Sequence, residues 1–588
     1  MDSKLLDYYN RELAYLREMG AEFAEQYPKV AGRLGMRGID VADPYIERLM
    51  EGFAFLTSRV QLKMDAEFPR FSQRLLEIIY PNYLSPTPSM AIAELQPDSS
   101  KGDISNGFVV PRGTMMDSQT LKKSGITCSY ATAHDVTLQP VRIAAVELGG
   151  IPADIPLASL GLQHSGCVSA LRIRLECYES VTLNNLQLDQ LMFYLAGPDM
   201  QAQQLLELLM QHSVGLVCQT VEAQPQRRAL ALDGLRQEGF AAEQALLPND
   251  LRNFEGYRLL QEYFAFPARF QFFSVNGLRP LLQSVREGKK ALRQFEIVVL
   301  LDRHDAALER VVDAAHLALH CTPVINLFPK VAERIAINEK NHEYHLVVDN
   351  IRPLDYEVFS VQRLGGSASE KRYEQEFRPF YSTLSADDGN YGAYFSLRRE
   401  QRTLSEHASR DLPLMLLQQD QGNFVMPDSI PIKQVSLRKG PTPPRPALAE
   451  GMITWRLISQ LQLNYLSMMD GDPEQGAASL RQLLGLYGNL SEPAIAKQIQ
   501  GVRHCNLRPV YRRVPEPGPI VFARGIAIDL TVDEQAFSGN SPYLLGSVLE
   551  RLFSRLVAMN TFTEMTLSSQ QRGEIAHWQA RMGKRTLI

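Results

Sequence analysis

The sequence predicts a multidomain α+β chain, with a helical N-terminal region, β-rich middle domains and a C-terminal α+β domain. Three observations lead there. A chain of 588 residues is too long for one hydrophobic core and should divide into several. Apolar residues recur at three- and four-residue steps near both ends, the period of an amphipathic helix. Between them lie short alternating stretches punctuated by Gly, Pro, Asn and Asp, the pattern of antiparallel sheet. The expected segments are a helical region at 1–90, a β-rich domain at 91–235, an α/β region at 236–335, a β-rich domain at 336–450 ending in a Pro-rich linker, and an α+β domain at 451–588.

Residues 4–27 read as a helix, with Leu5, Leu6, Tyr9, Leu13, Leu16, Phe23 and Tyr27 at near-helical spacing and charged residues between them. Pro28 ends it, and Gly32, Gly35 and Gly38 make a loose link. Asp43-Pro44 then starts the most informative stretch: Asp caps free amides, and Pro loses nothing at the first helical position. Behind it Ile46, Leu49, Met50, Phe53, Leu56 and Val60 share one face. Phe68-Pro69 is expected to break this helix, and a shorter one through Leu75, Leu76 and Ile79 runs to Pro81. The apolar face can be covered within its own domain or by a partner. The many aromatics, and the few N-terminal residues left to cover them, favour a partner, which makes Ile46, Leu49, Phe53, Leu56 and Val60 the candidate partner-helix contacts.

Further along, Ala91–Leu95, Phe108–Val110, Ile126–Tyr130, Val141–Leu148, Ala170–Tyr178 and Leu186–Leu195 read as strands, and Gln201–His212 as a helix. A helix is expected from Glu255 to Tyr263, strands at Phe270–Val275 and Glu296–Asp302, and a helix over Asp305–Leu319, after which Cys321–Lys330 turns the chain out. Strand-like segments return at Tyr344–Val348 and Tyr356–Leu364. Residues 365–370 and 436–449 read as exposed loops, the second a Pro-rich linker. Helical runs at Trp455–Met469 and Ala478–Tyr487 precede a strand at Ile520–Val532. A helix capped by Ser541-Pro542 follows, its stripe Leu544, Leu545, Val548, Leu549, Leu552, Phe553 and Leu556, and Thr561–Leu567 returns as a strand.

Composition narrows the function. A net charge of −5 and a pI near 6.2 argue against a dedicated nucleic-acid binder. With 45% hydrophobic residues there is enough apolar material to fold. The N-terminus lacks the pattern of a secretion signal, and no apolar run reaches the ~18 residues of a membrane helix, so a cytoplasmic chain without direct membrane insertion is expected. Cys128, Cys167, Cys177, Cys218, Cys321 and Cys505 are scattered without a CxxC pair, which signals neither a zinc site nor a disulfide framework.

Several stretches resemble one family. DPYIERLMEGFAFL, DAEFP and YPNYLSPTPSM look like the N-terminal region of TssF, also called VasA or ImpG, a baseplate subunit of the bacterial type VI secretion system. YYNRELAYLRE, EYFAFPARFQFF, CTPVINLF, WRLISQLQLNYLS, FSGNSPYLLGSVLERLF, NTFTEM and GEIAHWQARMG resemble it too, in the family's order from end to end. The resemblance implies a structural role and no enzyme activity. A TssF-like subunit joins TssG in a wedge, commonly as two TssF copies beside one TssG, and TssK attaches. Wedges surround the VgrG spike and form the platform for tail tube and sheath, similar to the wedge proteins of a contractile phage baseplate. In that setting helices of the two TssF copies and TssG share a core bundle, and the assembly docks at the inner-membrane complex through partners. No cofactor or metal is implied.

The sharpest enzymatic alternative is a metal-dependent hydrolase using His316 and His320. The two are four apart on the expected helix and so could face one ion. Leu317 stands where the HExxH pattern needs its Glu. His342 and His345 fail the spacing, and in a strand they would point to opposite faces. No phosphate-binding Gly loop or GxSxG elbow occurs, and Asp387-Asp388 reads as a solvated turn.

Overall fold

A computed structural model describes residues 3–33, 35–37, 40–41, 43–98, 100–102, 104–118, 127–178, 181–248, 254–287, 291–338, 340–341, 343–353, 355–367, 374–379, 393–397, 424–427, 429–446, 472–490, 492–513 and 522–584. The chain forms two compact units: Met1–Leu84, Arg363–Gln401 and Leu448–Ser459 in one, and Ser85–Gln362, Arg402–Ala447 and Gln460–Ile588 in the other.

The first unit is built on helices α1 (Ser3–Gln26), α2 (Pro28–Arg33) and α3 (Pro44–Ile79). Asp43 caps α3, its carboxylate accepting from the Tyr45 amide at 2.9 Å. The expected break at Phe68-Pro69 does not occur: α3 continues through Pro69 to Ile79. Proline forfeits one backbone bond there, and the helix on either side is long enough to carry the loss. It ends before Pro81, where a 3-10 turn, Pro81–Tyr83, leads out. The same unit holds three short strands, Leu364–Ser367, Glu374–Pro379 and Tyr394–Phe395.

The second unit opens with a closed six-stranded barrel. Its strands, in order around the wall, are Cys321–Ile325, Met90–Pro97, Ile432–Lys439, Phe424–Val425, Met115–Ser118 and Ser129–Thr132. Ala91, Ala93, Leu95, Met116, Tyr130, Val324, Phe424 and Val435 fill it. Two expectations change here. Cys321–Ile325 closes the wall instead of leaving it, and the first four residues of the expected linker, 436–439, belong to a wall strand, Ile432–Lys439. A five-stranded sheet follows, ordered Arg227–Leu230, Ser213–Thr220, Gln294–Leu301, Ser169–Cys177 and Val141–Gly150. A four-stranded sheet sets Leu235–Gln237, Phe272–Asn276, Gln190–Leu195 and Leu317–Leu319 side by side.

The expected helix over Asp305–Leu319 is instead a single turn, Ala306–Glu309, then a 3-10 turn, Ala314–His316, and a strand. Asp313 restarts the chain: its carboxylate accepts from the Ala315 amide, while its own N–H donates to His316 Nδ1. Among the described residues, Tyr344–Val348 and Tyr356–Arg363 are irregular, not strands. Trp455–Met469 lies outside the described residues.

At the C-terminus, Val502–Arg513, Phe522–Val532, Phe562–Ser569 and Gly573–Met582 form one sheet, its two central strands parallel. Parallel neighbours need a crossover, and the helix Pro542–Leu556 supplies it. Ser541 caps that helix, accepting from the Tyr543 amide at 3.2 Å. Leu544, Leu545, Val548, Leu549, Leu552 and Phe553 are all within 2% of complete burial. Gly256 permits a close approach on the far side, since a Cβ there would stand 2.6 Å from Leu552.

Candidate interaction surfaces

α1 and α3 pack together, and Arg17 reaches Glu47 at 3.0 Å across the pair. At 3.6 residues per turn, Met50, Ala54, Thr57, Ser58 and Gln61 fall on one side of α3, where each is buried or half-buried. The opposite arc carries Tyr45, Leu49, Phe53, Leu56, Val60 and Met64, between 58% and 86% exposed. Apolar side chains at this spacing bury themselves wherever a surface is offered. Among the described residues, α3 thus buries the side that carries Met50 and Ala54 and leaves open the arc from Tyr45 to Met64.

Of the five sequence-selected contacts, Leu49, Phe53, Leu56 and Val60 lie together on the open arc. Ile46 is half-buried at its edge. Tyr45 and Met64 belong to the same arc and were missed, although the four-residue step from Leu49 and from Val60 reaches both. Exposed Arg48, Arg59 and Lys63 border it. α1 has an open apolar row of its own, Tyr15, Met19 and Phe23, continued by Tyr27 at the junction and Val30 of α2.

The residues selected for metal chemistry do not converge. His316 ends a 3-10 turn, with Nδ1 beside Asp313 at 2.9 Å and Nε2 beside Gln201 at 3.3 Å. His320 lies between strands, where its Nε2 accepts the Gln139 amide at 3.1 Å. An acceptor nitrogen must be unprotonated, and burial holds the ring's pKa down to about 4. The two side chains are thus engaged in different places. His342 lies outside the described residues. Thiol chemistry is disfavoured by the same physics: burial pushes Cys177 and Cys505 up to about 12, and only the thiolate is a nucleophile.

Sequence reading also missed a buried ionic cluster. Glu262 accepts from Arg258 at 3.0 Å, from Arg269, and from the amides of Leu246 and Leu247 at 3.0 and 2.9 Å. Arg269 donates to the carbonyls of Gly239 and Gln244, and Arg112 to those of Glu243 and Ala245. These contacts hold the 239–247 loop. A buried charge needs such partners, and beyond the carboxylate–guanidinium pairs the cluster bonds to backbone amides and carbonyls.

A barrel, several antiparallel and mixed sheets, a buried crossover helix and a helix whose apolar arc is exposed among the described residues define a structural subunit of the kind that joins others. The sequence matches the family described as "Type VI secretion system, TssF" over residues 1–411 and 407–585. It is 43% identical, over the full length of both chains, to "Type VI secretion system component TssF1" of Pseudomonas aeruginosa. The chain belongs to the TssF family, a structural component of the type VI secretion baseplate. Its fold is similar to that of a chain in the cryo-electron microscopy structure of a "TssK-TssF-TssG baseplate subcomplex", with a TM-score of 0.67 and 24% identity over 92% of this chain and 99% of that one. Among the described residues, no helix is long and apolar enough to cross a membrane.

Proposed function

We propose that this chain is a non-enzymatic wedge scaffold that works in the cytoplasm and acts by holding TssG-, TssK- and VgrG-like partners and a second copy of itself. The observation that carries this reading is the arc of six exposed apolar side chains on α3. Fully burying one such side chain yields roughly 1.5–3 kcal/mol, so the arc offers on the order of 10 kcal/mol. Association costs an estimated ~4–15 kcal/mol. One helix face is therefore marginal, and a lasting wedge requires several surfaces totalling on the order of 2,000 Å² or more. The open row on α1 and α2 is a second such surface in the same unit. In this reading a helix of a TssG-like partner covers Leu49, Phe53, Leu56 and Val60, with Ile46 at the seam.

The test is co-purification of the full chain with its TssG-like partner. Leu49→Asp with Phe53→Asp should abolish the complex, while the variant keeps the helical content and melting temperature of the parent. A folded double variant that still co-elutes at micromolar concentration would remove this face from the junction.

A further inference from the structure

The C-terminal sheet carries a feature unrelated to α3. Strands Val502–Arg513 and Phe522–Val532 stay paired as far as Arg513 opposite Phe522. Side chains alternate between faces along a strand, so register decides which residues share a side. Cys505, Leu507, Ile526, Ile528 and Leu530 share one side, and all are buried. The helix Pro542–Leu556 lies on that side: Gly546 abuts Leu567, the strand partner of Leu530. Tyr511, Arg513, Phe522 and Arg524 extend the same face beyond the covered part. There Tyr511 is 73% and Phe522 71% exposed, and both arginines are exposed. Tyr511 stands opposite Arg524, and Arg513 opposite Phe522, so rings and guanidiniums form a checkerboard.

The other face of the ribbon is an internal control. Arg508 pairs with Asp529 at 2.9 Å, and Arg512 holds Glu564 through two bonds of 2.6 and 3.0 Å. Each of those arginines has a carboxylate from its own chain. Arg513 and Arg524 have none among the described residues. Exposed aromatic rings interleaved with arginine are the composition of interface anchors. Here they prolong a face that is buried through Cys505, Leu507, Ile526, Ile528 and Leu530 and opens at Pro509.

We propose that this face docks an acidic segment of a different subunit, whose carboxylates pair with the guanidiniums of Arg513 and Arg524, two residues set on a cross-strand diagonal roughly 7–8 Å apart. Charge decides against a second copy. Twofold pairing through this face would set guanidiniums against guanidiniums, and the face carries no carboxylate of its own with which a second copy could answer them. The proposal uses no residue of α3, so the α3 test and this one fail separately.

The experiment places the photo-reactive residue p-benzoylphenylalanine at position 511 or 522 of the full chain, in cells producing the whole secretion apparatus. Mass spectrometry then identifies the cross-linked peptide. A peptide from a different subunit bearing two or more Asp or Glu residues is expected. Arg513→Glu with Arg524→Glu should cut the yield at least about tenfold, the paired Lys substitutions should retain it, and reversing the captured acids to Lys should restore the Glu variant. Capture of a second copy alone, capture of a peptide without acids, or no intermolecular cross-link would each overturn the proposal.

Discussion

α3 and the helix Pro542–Leu556 are written in the same code and meet opposite fates. Both begin with a side-chain cap followed by proline, and both repeat apolar residues at three- and four-residue steps. Leu549 and Leu552 are fully buried, whereas Leu49 and Leu56 are 73% and 61% exposed. The difference lies in what surrounds them. Pro542–Leu556 is inserted between two parallel strands that require a crossover, with Glu255–Ala265 on its far side, so every flank is occupied. α3 meets α1 on one side, and its other arc faces outward. Hydrophobic periodicity thus states that a face will be covered, and topology states whether the same chain covers it.

A matched substitution breaks the comparison most sharply. Leu549→Asp puts an unpaired carboxylate into the core, and its burial cost approaches the whole stability of a typical domain. Loss of soluble protein, or of a cooperative melt, is expected. The Leu49→Asp and Phe53→Asp pair should leave the melt unchanged, because it alters exposed side chains. Equal destabilisation by the two changes would mean that α3 is an ordinary core helix.

A smaller effect concerns the second unit alone. Glu262→Ala removes the carboxylate shared by Arg258 and Arg269, both completely buried. Removing one member of a buried ionic group costs about 3–5 kcal/mol. Urea unfolding followed by Trp578 fluorescence, in a Trp455→Phe background, should show that loss. Trp578 is stacked on Tyr543 at 5.6 Å in this unit. A change under about 1 kcal/mol would mean the arginines find other partners, or water, at little cost.

The contrast also explains what was legible in the sequence. The Pro542–Leu556 stripe and the strand Gln294–Leu301 were readable because local periodicity and burial agree there. The strand Val502–Arg513 was not, because its outer half carries Pro509, Arg508 and Arg512 on exposed positions and so lacks a two-residue apolar alternation. The barrel was hidden for another reason. Leu437 meets Ala93, and Cys321 meets Glu94, across hundreds of residues, and each strand alone resembles a connector. The Asp313 restart hid a strand inside an apparent helix. At the candidate surface, Leu49, Phe53, Leu56 and Val60 were legible by spacing, but sequence alone could not say which arc α1 would take. The ionic cluster left almost no trace, because Arg269 and Arg112 act on carbonyls of a loop without sequence periodicity.

Acid should separate the two units more gently. The unit containing α3 has no histidine in its sequence, whereas the other buries His134 and His320. Burial, reinforced by Arg269, holds His134 near about 3, and burial alone holds His320 near about 4. Unfolded histidine titrates near ~6.5. Below that value the unfolded chain takes up protons that the folded unit refuses, so stability is complete above about pH 6.5 and falls progressively toward the folded values. By pH 5 each histidine should cost about 2 kcal/mol. The Trp578-reported urea midpoint should therefore drop between pH 7.5 and pH 5, while the helical signal of α1 and α3 holds. His320→Asn should remove about half of the drop. Asn tolerates the left-handed backbone found at this position, φ 55°, and does not titrate. An unchanged slope in that variant would show that His320 opens to solvent before it protonates, and that the acid sensitivity belongs to other groups of the unit.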